Sequence, residues 1–267
     1  MDLQVTGKRA LVTGSSSGLG EAIAKVLAAE GVQVVVQGRR AEGVERVRSA
    51  IASTGGAAAG VVGDLRDDSE ANRVADAALS AFGGIDILVN NAGALAPGDW
   101  RTEGAAALWN DLFNQNVASM VRVIQRLVPL MRERRWGRVI GLASVVADLP
   151  PSNVPHYGVT KAASLNLSSS LAKDLAGSGV TSNAVGPGLV HTPGTEDLFR
   201  AWSRKFGWGD DLEDVKRRVV EHLAPNPSGR VCRPEDVAYV VAFLASPHAS
   251  YINGANIRVD GGANPTV

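Results

Sequence analysis

The sequence predicts an α/β protein: a single domain on a doubly wound parallel sheet of about seven strands, with helices on both faces. Three observations carry that expectation. Short apolar runs alternate with helical segments along the chain, and such alternation feeds a parallel sheet covered on both sides. The first run enters a glycine-rich turn that opens a helix. The chain has 267 residues, a length at which one α/β sheet is a common solution.

Residues 8–13 (KRALVT) form the first apolar run, with a β-branched end. They enter Thr13-Gly14-Ser15-Ser16-Ser17-Gly18-Leu19-Gly20, and Ala22, Ile23, Val26 and Leu27 then mark an amphipathic helix. A second strand follows at 32–37. Strand, glycine turn, helix and strand make a dinucleotide-binding βαβ unit, so the doubly wound sheet is of the Rossmann-like kind. The glycines let backbone approach a pyrophosphate, and the helix N-terminus offers N–H donors and a positive dipole end.

The stretch STGGAAAG at 53–60 reads as a helix exit and strand entry, with the third strand at 58–63. The fourth, 85–90, contains IDILV and runs into Asn90-Asn91-Ala92-Gly93. A helix is expected over about 104–133, then a fifth strand at 137–143 that ends at Ser144. A second long helix is expected at about 155–176, followed by strands at 179–185 and 256–260. Candidate functional residues thus gather at carboxyl ends of strands, where open α/β sheets bind ligands.

Residues 190–230 break the alternation, with helical pieces and no strand. This segment holds Phe199, Trp202, Phe206 and Trp208, bounded by Pro187-Gly188 and by Pro225 and Pro227. An insertion beside a site is often a substrate-binding lid. The same aromatics would also serve to pack the insertion onto the body, and the sequence supports both readings. A lid of this composition implies a substrate with an apolar or aromatic part.

Lys and Arg total 27, as do Asp and Glu, so the formal net charge is zero and gives no support for nucleic acid or an anionic membrane as partner. One cysteine, Cys232, excludes an internal disulfide framework and fits a reducing compartment. With four histidines and that cysteine, no spacing resembles a metal site. The first residues, MDLQVTGKR, lack an apolar signal core and no run approaches 18 apolar residues, so a soluble cytoplasmic protein is expected.

Tyr157 and Lys161 lie 13 and 17 residues after Ser144, in HYGVTKAA. Four apart on one helix, they share a face. A lysine ammonium beside a phenol favours the phenolate and lowers a pKa ordinarily about 10, which makes the tyrosine a proton donor and acceptor. Adjacent helical side chains diverge, so His156 is expected to point away, to the surface or a subunit contact.

These residues together carry a resemblance to the short-chain dehydrogenase/reductase family. Thr13 to Gly20 match its T-G-x-x-x-G-x-G, and Asn90 to Gly93 its N-N-A-G. Asn116 in QNVAS, Ser144, Tyr157 and Lys161 match its catalytic residues, and Pro187-Gly188 its P-G after a sixth strand. The resemblance spans roughly residues 5–262 and is greatest to the 3-oxoacyl-(acyl carrier protein) reductase type, including the closing YINGANIRVDGG.

The resemblance implies hydride transfer between a nicotinamide and a ketone or secondary alcohol. Ser144 would hold the carbonyl oxygen, and Tyr157 would move the proton and also border the bound cofactor. Lys161 would lower the phenol pKa and bind ribose, while Asn116 would link Lys161 to a proton path through its backbone or a water. Gly14, Ser15, Ser17, Gly18, Leu19 and Gly20 would cradle the pyrophosphate. Asp64 and Leu65 would flank the adenine, and Asn90, Ala92 and Gly93 the adenosine and ribose. Pro187, Gly188, Val190 and Thr192 would meet the nicotinamide, whereas Asn183 has a structural role.

NAD-preferring relatives end the second strand in an acidic residue. Here Gly38 stands there, followed by Arg39-Arg40. A guanidinium binds a 2′-phosphate, so NADP(H) is favoured through Arg39, with NAD(H) as the alternative and a solvated strand exit as the plainer reading of both arginines. Ser15 is a further phosphate-donor candidate. Ser17 departs from many NADP-preferring relatives, which carry a basic residue there.

The expected activity is NADPH-dependent reduction of a 3-oxoacyl compound or related ketone. The alternatives are a secondary-alcohol or polyol dehydrogenase and, more remotely, a non-catalytic dinucleotide sensor or scaffold. Val145 to Pro151 would line one cleft wall and favour an apolar substrate over a free sugar. Arg132, Arg134, Arg135 and Lys173 would give an acyl carrier protein a basic approach face, or simply a solvated helix end. The family's helix-pairing and C-terminal contacts imply a homotetramer.

Overall fold

The computed structural model describes residues 1–96, 98–102 and 105–265. Seven parallel strands form one sheet: β1 Arg9–Val12, β2 Gln33–Gly38, β3 Ala58–Val62, β4 Ile87–Asn90, β5 Gly137–Leu142, β6 Val180–Pro187 and β7 Asn256–Val259. Their spatial order is β3-β2-β1-β4-β5-β6-β7, so the winding reverses between β1 and β4. That reversal opens a crevice at the carboxyl ends of the two strands.

Alternation along each strand builds two cores. Ala10 and Val12, Val34 and Val36, and Ile87 and Val89 face one side. There they meet Ile23 and Leu27 of α1 (Gly18–Ala29) and Val237 and Val241 of α9 (Pro234–Ala245). Leu11, Val35 and Leu88 face the other side, against Val74 of α3 (Asp68–Phe82) and Val123 and Leu127 of α5 (Ser119–Glu133). Each fully buried aliphatic side chain contributes roughly 1.5–3 kcal/mol, so both faces hold the sheet. The helix α2 (Ala41–Ser53) covers the β2–β3 edge through Val44, Val47 and Ile51.

The expected helix over 104–133 is divided, and residue 104 lies outside the described residues. The α4 helix (Ala105–Phe113) passes into a π-turn over Asn114–Ala118, then into α5. A π-turn inserts an extra residue into the helical ladder, which the apolar pattern of the sequence does not signal. The catalytic-helix candidate, α6, spans Pro155–Asp174, and its Pro155 stands in the first turn where no N–H is needed.

The fourth strand begins two residues later than expected. Asp86 instead receives Arg9 bidentately, at 2.7 and 2.6 Å, and Asp86 is 8% exposed. Within 190–230, α7 (Pro193–Phe206) and α8 (Leu212–His222) form an antechamber with its own core of Phe199, Val215, Val219, Val220 and Val231. The chain re-enters the body at an isolated parallel bridge between Val190 and Cys232.

The basic approach face is corrected by this topology. The helices run antiparallel to the strands, so Arg132, Arg134 and Arg135, at the end of α5, sit at the amino edge of the sheet. Arg134 donates to Ile85 O, Arg135 to Gly177 O and Arg132 approaches Asp174 at 3.5 Å. Lys173, at the end of α6, shares that edge. These residues lie opposite the carboxyl ends where the site is built.

Candidate active site

The glycine turn is braced from both neighbouring strands. Thr13 Oγ1 accepts from the N–H groups of Asn91 and Ala92, each at 3.0 Å. Asn91 Nδ2 donates to Thr13 O and Gly14 O, at 2.9 and 3.2 Å. Gly14 has φ +64°, and a Cβ there would stand 2.9 Å from Ala92 Cα, so both backbone shape and space demand glycine. Gln37, 2% exposed, accepts from Gly14 N at 2.9 Å and donates to Gly63 O at 2.8 Å. No motif marks Gln37; its one sequence signal is a polar residue inside the apolar run VVVQG.

Ser15 is a correction to the expected phosphate donors. Its buried hydroxyl donates to Val12 O at 2.6 Å and accepts from Gln37 N, and its own N–H donates to Gln37 O. It orders the turn and has no donor left for a phosphate. Ser17 is exposed at the N-cap of α1, and its side chain makes no capping bond, leaving the first-turn N–H groups for an anion. Ser16, which the motif does not single out, lines the same cavity.

That cavity measures about 610 Å³ and runs from Gly14, Ser16 and Ser17 past Arg39 and Arg40 to Asp64, Leu65, Ala92 and Gly93. Arg39 and Arg40 are exposed at the end of β2. The Asp64 carboxylate is bound by Arg66 Nη2 at 2.7 Å and Nε at 3.0 Å, which holds it below the usual carboxylate range. Arg66 thereby takes up most of the Asp64 charge, which Arg39 also feels, and leaves the two arginines at the end of β2 largely available to an anion. Asn90, 2% exposed, has both side-chain polar atoms without a partner among the described residues. Buried polar groups are normally paired, so this amide awaits a ligand or water. The uncapped helix end, the arginines and the orphaned amide fit a phosphorylated dinucleotide.

At the other end, Ser144 caps a 3₁₀ turn over Val145–Ala147, accepting from Val146 N at 3.4 Å. Its hydroxyl is hydrogen-bonded to Tyr157. Burial pushes the Tyr157 phenol up to about 12, and the Ser144 hydrogen bond pulls the other way. Lys161 is 7% exposed; its Nζ donates to Leu142 O at 2.8 Å and stands 5.6 Å from the centre of the Tyr157 ring. Burial pulls the Lys161 ammonium down to about 8. The expectation that the lysine depresses the phenol therefore fails here: the ammonium is committed to a carbonyl, and burial dominates both groups.

Asn116 is buried in the π-turn with its amide fully engaged. Its Oδ1 accepts from Ala94 N at 2.8 Å, and its Nδ2 donates to Ala94 O and Thr160 Oγ1, each at 2.9 Å. Thr160 Oγ1 donates in turn to Tyr157 O at 2.8 Å. The side chain is a strut between the chain leaving β4 and α6. Asn183 is another, bonded to Ile252 O and Ala255 N.

Thr192 begins α7 by accepting from Thr195 N at 3.3 Å, and a Cβ on Gly18 would lie 3.5 Å from Thr192 Cβ. Thr192 thus faces the glycine turn across the crevice, while Val190 is buried in the core, Pro187 ends β6 and Gly188 lies beside Asp260. Phe199, Trp202 and Trp208 pack the α7–α8 core, whereas Phe206 is 45% exposed and stacks on Trp208 at 5.0 Å. Cys232 is half-buried and its thiol is pushed up to about 11 by burial, which makes it a poor nucleophile. His156 does not point to the surface as expected: it is 1% exposed, and its Nε2 lies 3.0 Å from Ala96 O.

Among the described residues there is no group of three side chains arranged to hold a metal ion, and no helix is long and apolar enough to cross a membrane.

A family model described as enoyl-(acyl carrier protein) reductase matches residues 14–264. The 3-oxoacyl-[acyl-carrier-protein] reductase FabG of Escherichia coli is 34% identical over 256 residues, covering 96% of this chain and 97% of that one. The chain belongs to the short-chain dehydrogenase/reductases. This short-chain dehydrogenase/reductase is also 37% identical over 265 residues to the uncharacterized oxidoreductase YvaG of Bacillus subtilis, covering 98% of each. The L-sorbose reductase of Gluconobacter frateurii, solved with NADPH and L-sorbose, superposes with a TM-score of 0.93 at 34% identity, covering all of both chains. The protein is an oxidoreductase of this family, acting on CH–OH groups.

Proposed function

We propose that this short-chain dehydrogenase/reductase uses NADPH to reduce a 3-oxoacyl thioester or a closely related ketone. The observation that carries the cofactor is the end of β2: Arg39 and Arg40 stand there, and Arg66 neutralises the nearby Asp64. A guanidinium paired with a 2′-phosphate gains charge-assisted hydrogen bonds that NADH cannot offer. The full-length relationship to FabG supports the acyl class.

Gly14, Ser16, Ser17, Gly18, Leu19 and Gly20 hold the pyrophosphate, and Arg39 the 2′-phosphate. Asp64 and Leu65 border the adenine, while Asn90, Ala92 and Gly93 border the ribose. Pro187, Gly188, Val190 and Thr192 border the nicotinamide. A reduced nicotinamide held by these residues would supply the hydride that the carbonyl carbon takes up. Ser144 donates a hydrogen bond to the carbonyl oxygen, where negative charge develops. Tyr157, held protonated by its raised pKa, gives its proton to that oxygen. Lys161, charged below about pH 8 and anchored on Leu142 O, would bind ribose hydroxyls. Solvent returns one proton, so ketone, NADPH and a proton give alcohol and NADP.

A second reading is a polyol or secondary-alcohol oxidoreductase. The match to L-sorbose reductase over the whole of both chains favours it. The helices α7 and α8 act as the lid in both readings, and their apolar interior supports the ketone with an apolar portion. A homotetramer is part of the proposal, supported by the small-residue groove of Ala162, Leu165, Ser169, Gly254 and Ala255 beside half-exposed Val159.

The test is steady-state oxidation of NADPH and NADH with acetoacetyl-CoA, β-keto esters, cyclic ketones and L-sorbose, with alcohols assayed in reverse. NADPH-linked reduction of acetoacetyl-CoA above all others is the expected result. Activity confined to L-sorbose and polyols would overturn the acyl assignment, and a preference for NADH would overturn the role of Arg39.

A further inference from the structure

We infer that the chain leaving β4 forms a wall of the substrate cleft, facing the Val145 to Pro151 side, and that His156 is a positioning residue that ties it to the helix turn carrying Tyr157. The inference rests on the oxidoreductase site above but not on which carbonyl compound is reduced. The chain leaving β4 passes Gly93 and Ala94 at the carboxyl edge of the sheet, the edge that also carries Ser144. It is held to α6 at two carbonyls, two residues apart. Ala94 is gripped on both N–H and C=O by Asn116, whose Nδ2 also reaches Thr160 Oγ1 at 2.9 Å. Ala96 O lies 3.0 Å from His156 Nε2. The first grip reaches α6 through Thr160 and the second through His156, on either side of Tyr157.

Three features show that the second grip is built and not incidental. His156 is 1% exposed, so its ring nitrogen has no water to fall back on and needs its partner. The imidazole is backed by Trp109 of α4, ring centres 6.2 Å apart, and Trp109 in turn meets Trp100 at 5.6 Å. Gly98 closes over it: φ is +153°, and an added Cβ would stand 3.3 Å from His156 Cε1 and 2.8 Å from Leu108 Cδ2. The imidazole thus fixes the height of the wall above Tyr157. It touches neither substrate nor cofactor, so its loss alters how the carbonyl compound is seated, not the proton transfer itself.

The deciding experiment compares His156→Phe with His156→Gln. Phenylalanine keeps a ring against Trp109 and removes the N–H; glutamine returns an amide donor at similar reach. Hydrogen exchange of the amides over residues 93–102 needs no substrate. Exchange at least about fivefold faster in the Phe variant, restored to within about twofold by Gln, is the expected result. With acetoacetyl-CoA and L-sorbose as probes, KM for the carbonyl compound rises about tenfold in the Phe variant, while kcat and KM for NADPH stay within about twofold. A merely structural role would lower kcat and raise both KM values together, with no rescue by Gln. Gly98→Ala, which pushes the wall off the imidazole from the other side, reproduces the exchange and KM changes if His156→Phe does not fold. Unchanged exchange in the Phe variant, or faster exchange with unchanged carbonyl KM, overturns the inference. Wild-type inactivity on acetoacetyl-CoA would defeat the acyl assignment, and the exchange result would still decide this one.

Discussion

Replacing Lys161 with methionine should change stability in a way that depends on pH, because the wild-type lysine is buried with its ammonium hydrogen-bonded to the Leu142 carbonyl. Its ammonium is drawn from 10.5 to about 8 by burial. That gap corresponds to roughly 3 kcal/mol of folding free energy, at about 1.36 per pH unit. Between pH 8 and 10.5 the unfolded chain binds the proton and the native chain does not. Wild-type stability therefore rises with pH across that window, and the cost of burying the charge is fully present below it. Methionine removes that cost at neutral pH but leaves Leu142 O without its donor, a loss of about 1–3 kcal/mol. The two terms nearly cancel near neutrality, so the variant should equal or slightly exceed wild type there. At about pH 10 it should be the less stable of the two. Urea unfolding of both proteins without cofactor, at about pH 7 and about pH 10, measures the difference. The gap between the two proteins should shift by roughly 3 kcal/mol across the range. A gap that stays flat with pH would refute the assignment of a buried, depressed lysine.

Two further outcomes follow from the proposed cofactor end and from the α7–α8 insertion. Arg39→Asp places a carboxylate where a 2′-phosphate is proposed to sit, and the ratio of kcat/KM for NADPH over NADH should fall by about two orders of magnitude. An unchanged ratio would make Arg39 a solvated strand exit. Phe199→Ala empties the centre of the α7–α8 core, where Phe199 is fully buried. It should cost about 3–5 kcal/mol locally, seen as faster proteolytic cleavage within residues 193–231 than in the sheet. Uniform cleavage along the chain would show instead that the α7–α8 insertion does not unfold as a unit.

The sheet was legible because its strands are short apolar runs with turn signals between them. Even there the edges moved: Ile85 and Asp86 read as strand, yet Asp86 turns to take Arg9 across β1. The crevice was legible through its glycines, whose conformations only that residue adopts easily. The pairing of Tyr157 and Lys161 on one helix follows from their spacing, but the partner of the lysine does not. Leu142 O comes from a strand distant in sequence, and no local pattern announces that an ammonium will be spent on it. A distant partner also helped hide the fate of Ser15, whose hydroxyl accepts from Gln37 N on β2 while donating locally to Val12 O. His156 misled because helical geometry states only that neighbours diverge, and the divergent direction here is inward, under Ala96 and Gly98. The arginines at the end of α5 misled for a topological reason, since the direction of a helix decides which edge of the sheet its terminus reaches.

The central claim is that Ser144, Tyr157 and Lys161 act on a carbonyl compound beside NADPH. The most direct measurement is turnover and NADPH affinity of Tyr157→Phe, with acetoacetyl-CoA as substrate. The variant should bind NADPH within about threefold of wild type, since the phenol is proposed to serve the substrate oxygen, and should lose at least about 10³-fold in kcat. NADPH binding retained together with wild-type turnover would contradict the account, because the proton would then come from somewhere other than Tyr157.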